Sequence, residues 1–317
     1  MHKKSVFCRV TALLLTAVLA IAVMLPCLAA YEMPIQTAYS AESVYLFNVD
    51  TGETILEQNA DTPRCIASVT KMMTALLLLE SGKDLNETIT IPDSLTPEFQ
   101  RIRANQGHTI GLQAGEQIRR IDLLYAMLVP SSNDAASAIA SDVAGGDLTA
   151  FAEQMNARAR ALGCTNTHFT CAHGLYDTNN FSTARDLAKI AASCYENKTY
   201  LQVANTVSYT IPATNKSGAR TLRTTNKLLT EGADTYRSYA QGMKTGFTTQ
   251  AGRCFVTIAA QGGRTFGLVI LGSDSANIFK EAAALFDWAF TNPELMGGTP
   301  QMPSVSQMER LWSFLFG

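Results

Sequence analysis

The chain has 317 residues, 47% of them hydrophobic and 16% charged, which suits a globular protein of one large or two modest domains. Its 25 basic residues face 27 acidic ones, and residues 1–30 hold Lys3, Lys4 and Arg9 but no acid, so the remainder carries 22 basic against 27 acidic residues. That balance argues against a nucleic-acid partner, and seven scattered cysteines spell out neither a metal site nor a dense disulfide framework.

His2, Lys3, Lys4 and Arg9 precede an apolar run over 10–25, which Pro26 closes and the small residues Cys27, Ala29 and Ala30 follow. This predicts a secretory signal peptide over 1–30, cleaved near Ala29 or Ala30, and hence an exported, extracytoplasmic protein. A retained anchor is the competing reading, since the run approaches the roughly 20 residues of a spanning helix.

Residues 43–50 alternate apolar and polar side chains into a Thr51-Gly52 turn and predict a strand, with 53–56 as its partner. Residues 68–80, dense in Met, Ala and Leu, predict a mostly buried helix that closes at Ser81-Gly82. Helices are further expected over 121–128, before Pro130, over 134–144, ending at Gly145-Gly146, over 151–162, and from a Ser182 cap to about 197. From Tyr209-Thr210-Ile211 onward the pattern is extended, with strands at 242–248, 254–260 and 265–272 and a last helix at 278–290. The implied α/β (α+β) architecture is a sheet built from both ends of a domain spanning 31–290, flanked by an all-helical insert from about 82 to 205. Cys164 and Cys171 either form a bridge in an oxidising compartment or serve as small buried hydrophobes. Proline and glycine then mark a linker over 291–303. In 304–317, Met308, Leu311, Trp312 and Leu315 fall at helical spacing, which reads as a membrane-associating amphipathic helix, as packing on the domain, or as disorder.

Three short motifs carry chemistry. Ser68-Val69-Thr70-Lys71 puts a hydroxyl and an amine on one face at a helix start, where the helix dipole favours an alkoxide and disfavours a charged lysine. A serine needs a base, and a lysine serves once burial or a neighbouring cation lowers its pKa. Ser131-Ser132-Asn133 lies on a loop between helices and, taken alone, reads as a helix cap. Lys244-Thr245-Gly246 lies on a strand, with Lys244 and Gly246 facing one way and Thr245 the other. A cation and a hydroxyl beside a glycine suit a substrate carboxylate, with the strand edge pairing to an extended peptide; taken alone, Lys244 is a solvated strand-end lysine. In this order the three motifs form the set shared by penicillin-binding proteins and class A β-lactamases.

The wider segments Ala67 to Ala75, Ser131 to Ala136, Leu162 to Phe169, His173-Gly174-Leu175 and Lys244 to Cys254 resemble the low-molecular-mass penicillin-binding proteins that are serine-type D-alanyl-D-alanine carboxypeptidases. The resemblance spans about residues 40–290. It implies the penicillin-binding/β-lactamase-like transpeptidase fold with an antiparallel sheet, no cofactor or metal, peptidoglycan stem peptides as substrates, and β-lactam antibiotics as covalent inhibitors. It also implies that Ser68 attacks the carbonyl between two D-alanines, that Lys71 takes its proton, and that Ser131 relays that proton to the leaving amine. Asn133 is then expected to hold the substrate amide, and Lys244 and Thr245, beside Gly246, the terminal carboxylate. Backbone N–H groups of Ser68 and Phe247 would form the oxyanion hole. Ser132 stands where relatives often carry Gly and, as the middle residue, should point away from the cleft.

A D,D-endopeptidase of peptidoglycan cross-links would use the same machinery. A class A-like β-lactamase also needs a glutamate after the serine–asparagine element, and no Glu occurs between Glu153 and Glu196. A wall-binding scaffold retaining the pocket is a third reading, against which stands the presence of Ser68, Lys71, Ser131 and Lys244. No His-Glu-x-x-His or Gly-x-Ser-x-Gly pattern supports metal or serine–histidine chemistry, so His168 and His173 read as structural.

Overall fold

Strand β1 (Ser43–Asn48) is buried along its whole length because helices cover the sheet on both sides. The computed structural model describes residues 40–292 and Leu295; the expected leader, most of the linker and the tail lie outside the described residues. From β1 the chain turns through Thr51-Gly52 into β2 (Thr54–Gln58), pairing Leu46 with Leu56. Short β3 (Arg64–Cys65) leads into a 3-10 turn (Ala67–Thr70) and helix α1 (Lys71–Glu80).

Helix α1 is the hub of the helical part. Met72, Met73, Ala75, Leu76 and Leu78 are all buried, under α3 (Arg120–Leu128), α4 (Asn133–Val143), α5 (Leu148–Ala161), α6 (Ala184–Tyr195) and α7 (Lys198–Ala204). A helix apolar all round is a helix buried all round.

The insert is not all-helical. Besides α2 (Thr96–Ala104) it holds the antiparallel pair β4 (Thr88–Thr90) and β5 (Gln117–Arg119), and β6 (Phe181–Ser182) pairs with β3. Strands of two or three residues are too short to show a period. Thr183, not Ser182, caps α6, its hydroxyl accepting from the Asp186 N–H at 3.1 Å, while Ser182 is tied up with Thr167. That helix ends at Tyr195, close to the expected 197, and a helix not foreseen follows it: Asn197 accepts from the Tyr200 N–H at 3.0 Å and starts α7. The Cys164–Cys171 bridge is not formed; all five described cysteines are free.

Strand β7 (Ser208–Ile211) pairs with β8 (Arg220–Arg223), and β9 (Ala240–Thr248), β10 (Gly252–Gln261) and β11 (Arg264–Ser273) complete an antiparallel sheet ordered β2-β1-β11-β10-β9. One face sends Tyr45, Phe47, Val256, Ile258 and Val269 into the main core. On the other, Phe255 and Phe266 pack edge-on against Phe279 and Phe290 of α8 (Ile278–Thr291). Burial of both faces explains the unbroken apolar runs of β10 and β11. Strand β9 is an edge strand, and the Ala67–Thr70 turn packs against it. No helix among the described residues is long and apolar enough to cross a membrane.

Candidate active site

Ser68 sits in the 3-10 turn rather than in the α-helix that follows, because Ala67 enters at φ 48°. In a 3-10 turn side chains three apart nearly eclipse, which brings Ser68 and Lys71 into line. Lys71 Nζ lies 2.8 Å from Ser68 Oγ, 2.6 Å from Asn133 Oδ1 and 2.6 Å from the His173 carbonyl. Lys71 is fully buried, and burial, reinforced by the charge of Lys244, holds its ammonium well below the usual lysine range. A neutral amine has two N–H groups and one lone pair. Asn133 and His173 take the two N–H groups, so the lone pair is left for the Ser68 hydroxyl.

The Ser131-Ser132-Asn133 loop is not a side-chain cap, for Ser132 occupies the cap position of α4 without a capping bond. Ser131 holds φ 72°, strained for a residue with a side chain, and lines the same cavity as Ser68 and Asn133. Ser132 is fully buried outside that cavity's lining, as expected, and its hydroxyl has no hydrogen-bond partner among the described residues. The Asn133 N–H donates to the His108 carbonyl at 2.8 Å, which fixes the loop against the cavity wall.

On β9, Thr245, Gly246 and Phe247 line the cavity, but Lys244 does not. Its side chain is buried, and Nζ donates to the Thr245 carbonyl at 2.8 Å; burial brings its pKa down to about 7. The Thr245 hydroxyl meets that of Thr225. A Cβ on Gly246 would stand 3.1 Å from the Ser68 backbone nitrogen and 3.0 Å from the Ile66 carbonyl oxygen, so only glycine lets the nucleophile's backbone come so close to β9. Phe247 is 53% exposed, with the Arg253 guanidinium 4.4 Å from its ring centre.

The cavity encloses about 900 Å³. Arg101, Arg223, Lys227 and Arg253 line it and, among the described residues, no Asp or Glu does, so its field favours an anionic ligand. Sequence reasoning missed these four cations, Thr225 and the His173 carbonyl. The signal for His173 was present only in the His173-Gly174-Leu175 segment, and a carbonyl acceptor leaves no mark on residue type. His168 is exposed, its Nδ1 within 2.7 Å of the Asn179 carbonyl, and stays outside the cavity. Among the described residues no group of three His, Cys, Asp or Glu side chains is arranged to hold a metal ion.

Residues 30–275 match the peptidase family S11, described as D-alanyl-D-alanine carboxypeptidase. A D-alanyl-D-alanine carboxypeptidase from Streptomyces sp. (strain K15) is 36% identical over 241 residues, covering 73% of this chain and 80% of that protein. A D-alanyl-D-alanine endopeptidase of Pseudomonas aeruginosa is 31% identical over 280 residues, covering 88% and 85%. The crystal structure of the Streptomyces K15 DD-transpeptidase superimposes with a TM-score of 0.73 at 32% identity, over 81% of this chain and all of that one.

Proposed function

The chain belongs to the S11 family of D-alanyl-D-alanine carboxypeptidases, serine peptidases with the fold of the penicillin-binding enzymes, and on that premise we propose that Ser68 is its acylated nucleophile. Family membership makes it a hydrolase of peptidoglycan stem peptides that binds β-lactams outside the cytoplasm. The observation that carries the assignment of residues is the approach of the buried Lys71 amine to Ser68 at 2.8 Å.

In this reading Lys71 takes the Ser68 proton as Oγ attacks the carbonyl of the penultimate D-alanine. The backbone N–H groups of Ser68 and Phe247 receive the oxyanion, a contribution of about 3–4 kcal/mol per donor in other serine enzymes. Ser131 passes the proton to the departing D-alanine, and water then cleaves the ester. Asn133, besides orienting Lys71, faces the substrate amide. Thr245 and the cavity's cations receive the terminal carboxylate. Lys244, on the face of β9 that Gly246 turns toward Ser68, is a buried charge that disfavours protonation of Lys71.

Incubation with a synthetic pentapeptide ending in D-Ala-D-Ala tests this reading: D-alanine should be released, and Ser68→Ala should abolish both release and labelling by a fluorescent penicillin. Labelling of Ser68→Ala would sink the assignment. Relatives named endopeptidases lie at 31% identity, so a cross-linked dimer belongs in the same assay; cleavage of the dimer without release from the pentapeptide moves the chain to that activity.

We also propose cleavage of the leader near Ala29 or Ala30, which N-terminal sequencing of the exported protein checks. Residues 304–317 are proposed to contact the outer membrane surface peripherally; an unchanged membrane fraction after their deletion dismisses that contact.

A further inference from the structure

Cys171, His173 and Glu98 form a second cluster of reactive side chains that the reaction at Ser68 leaves idle. Cys171 Sγ lies 3.4 Å from His173 Nδ1, and Nε2 of the same ring lies 3.0 Å from Glu98 Oε1. Arg101 fixes that carboxylate with two donors at 2.8 and 2.9 Å. Thiol, imidazole and carboxylate in this order are the arrangement in which a base activates a nucleophile and a third group orients the base. The Gly174 N–H points at the same sulfur from 3.3 Å.

The cluster lines its own cavity, of about 390 Å³, which shares Arg101 with the Ser68 cavity and is walled by Leu148, Ala152 and Phe169. Cys171 is partly exposed, whereas Cys164, Cys194 and Cys254 are buried. Burial alone would raise the Cys171 thiol, but the His173 ring and the neighbouring N–H groups outweigh it and bring the thiol down to about 7. Burial pushes the other three thiols up.

The 171–174 segment also leans on the catalytic helix. Lys71 donates to the His173 carbonyl and Thr74 to the Ala172 carbonyl, both at 2.6 Å. The carbonyl that orients the Lys71 amine thus lies two residues from Cys171.

We propose that Cys171 is a covalent modification site for small disulfides, and that its occupation slows acylation at Ser68. His173 takes the thiol proton at Nδ1, giving up the Leu175 N–H that donates to that atom at 3.0 Å, and Sγ attacks one sulfur of the disulfide. The Cys171 Sγ–S bond forms as the reagent's S–S bond breaks, and the departing thiolate collects the proton from His173. The oxidant is the disulfide itself, in a compartment where disulfides persist.

Methyl methanethiosulfonate, which transfers its S-methyl group to the thiolate and leaves as methanesulfinate with the proton passing to solvent, is the probe, applied to the folded full-length protein at neutral pH. Peptide mass spectrometry should find Cys171 thiomethylated about tenfold faster than the partly exposed Cys65. Acylation by a fluorescent penicillin should slow by about tenfold in the modified protein and recover with dithiothreitol. Cys171→Ser should acylate at the untreated rate and ignore the reagent, while Cys65→Ser should remain sensitive. The inhibition arm rests on Ser68 being the acylated residue; the labelling arm does not. Labelling of Cys171 no faster than of Cys65, or an unchanged acylation rate after thiomethylation, overturns the proposal.

Discussion

The backbone of Gly174 passes so close to that of Ala67 that a Cβ on Gly174 would stand 1.9 Å from the Ala67 carbonyl oxygen, and Gly174 holds φ 79°. One glycine thus lets the loop that carries the His173 carbonyl reach the turn that carries Ser68. Gly174→Ala meets both a clash and a left-handed backbone, each worth about 1–3 kcal/mol. The expected result is a lower Tm and penicillin acylation slowed by at least about tenfold. Acylation at the wild-type rate with an unchanged Tm would show that the contact is not needed.

Lys71 works as a base only when neutral, and its folded pKa is depressed, first by burial and next by Lys244. Acylation should rise with pH through the folded Lys71 pKa and then level off. Lys244→Met removes the second cause, so the rising limb of the acylation profile should move to higher pH. A stopped-flow pH series on the two proteins decides it; a limb that stays in place refutes the coupling.

Stability carries the opposite cost. Lys244 falls from 10.5 to about 7 on folding, so between those values the unfolded chain binds more protons and stability rises with pH. Below about 7 the native state bears the full penalty, several kcal/mol for a shift of this size. Lys244→Met should therefore gain more Tm at pH 6 than at pH 9. Equal gains at both pH values would count against a charge penalty.

Glu116 is fully buried and receives the Arg220 guanidinium, the Thr214 hydroxyl at 2.9 Å and the Gln113 N–H at 3.2 Å. This ties the β7–β8 hairpin, which carries Arg223 to the cavity, onto the helical part. Glu116→Leu strands a buried cation and should cost about 3–5 kcal/mol, whereas removing Arg220 as well should restore much of that loss. Urea unfolding of the two single variants and the double measures the coupling; additive losses would contradict it.

What the sequence discloses and what it conceals divide along physical lines. The Ser68–Lys71 pair is legible because its geometry is local, fixed by three residues of one turn. Strands β10 and β11 are legible because covering both faces of a sheet forces continuous apolar runs, whereas β1, read as alternating, is buried on both faces. Lys244 is legible only in part: strand alternation sets it opposite Thr245, but nothing local tells that it is buried with Nζ on the Thr245 carbonyl. The His173 carbonyl lies 102 positions from Lys71 and acts through its backbone, so no residue-type pattern could reveal it. The same holds for Arg101, Arg223 and Lys227, brought together from three separate elements.

Deacylation is the step for which the cavity is least equipped when the acyl group is a β-lactam. A β-lactamase activates its water with a carboxylate, and no Asp or Glu among the described residues lines the Ser68 cavity. Glu98, which lines the adjoining cavity, is held at about 2; burial would raise it, but hydrogen bonds from His173 and Arg101 prevail, and so poor a base cannot take a proton from water. After a peptide substrate the small D-alanine departs and opens the site to water beside Lys71. An opened β-lactam cannot depart, because its leaving amine stays tethered to the acyl group, and it blocks that approach. Penicillin should therefore acylate the protein with a stoichiometry near one and release with a half-life far longer than the turnover time on pentapeptide. Intact-protein mass spectrometry after rapid removal of free penicillin follows the adduct directly, and a chromogenic cephalosporin hydrolysed at a steady rate beyond the first equivalent would refute the argument.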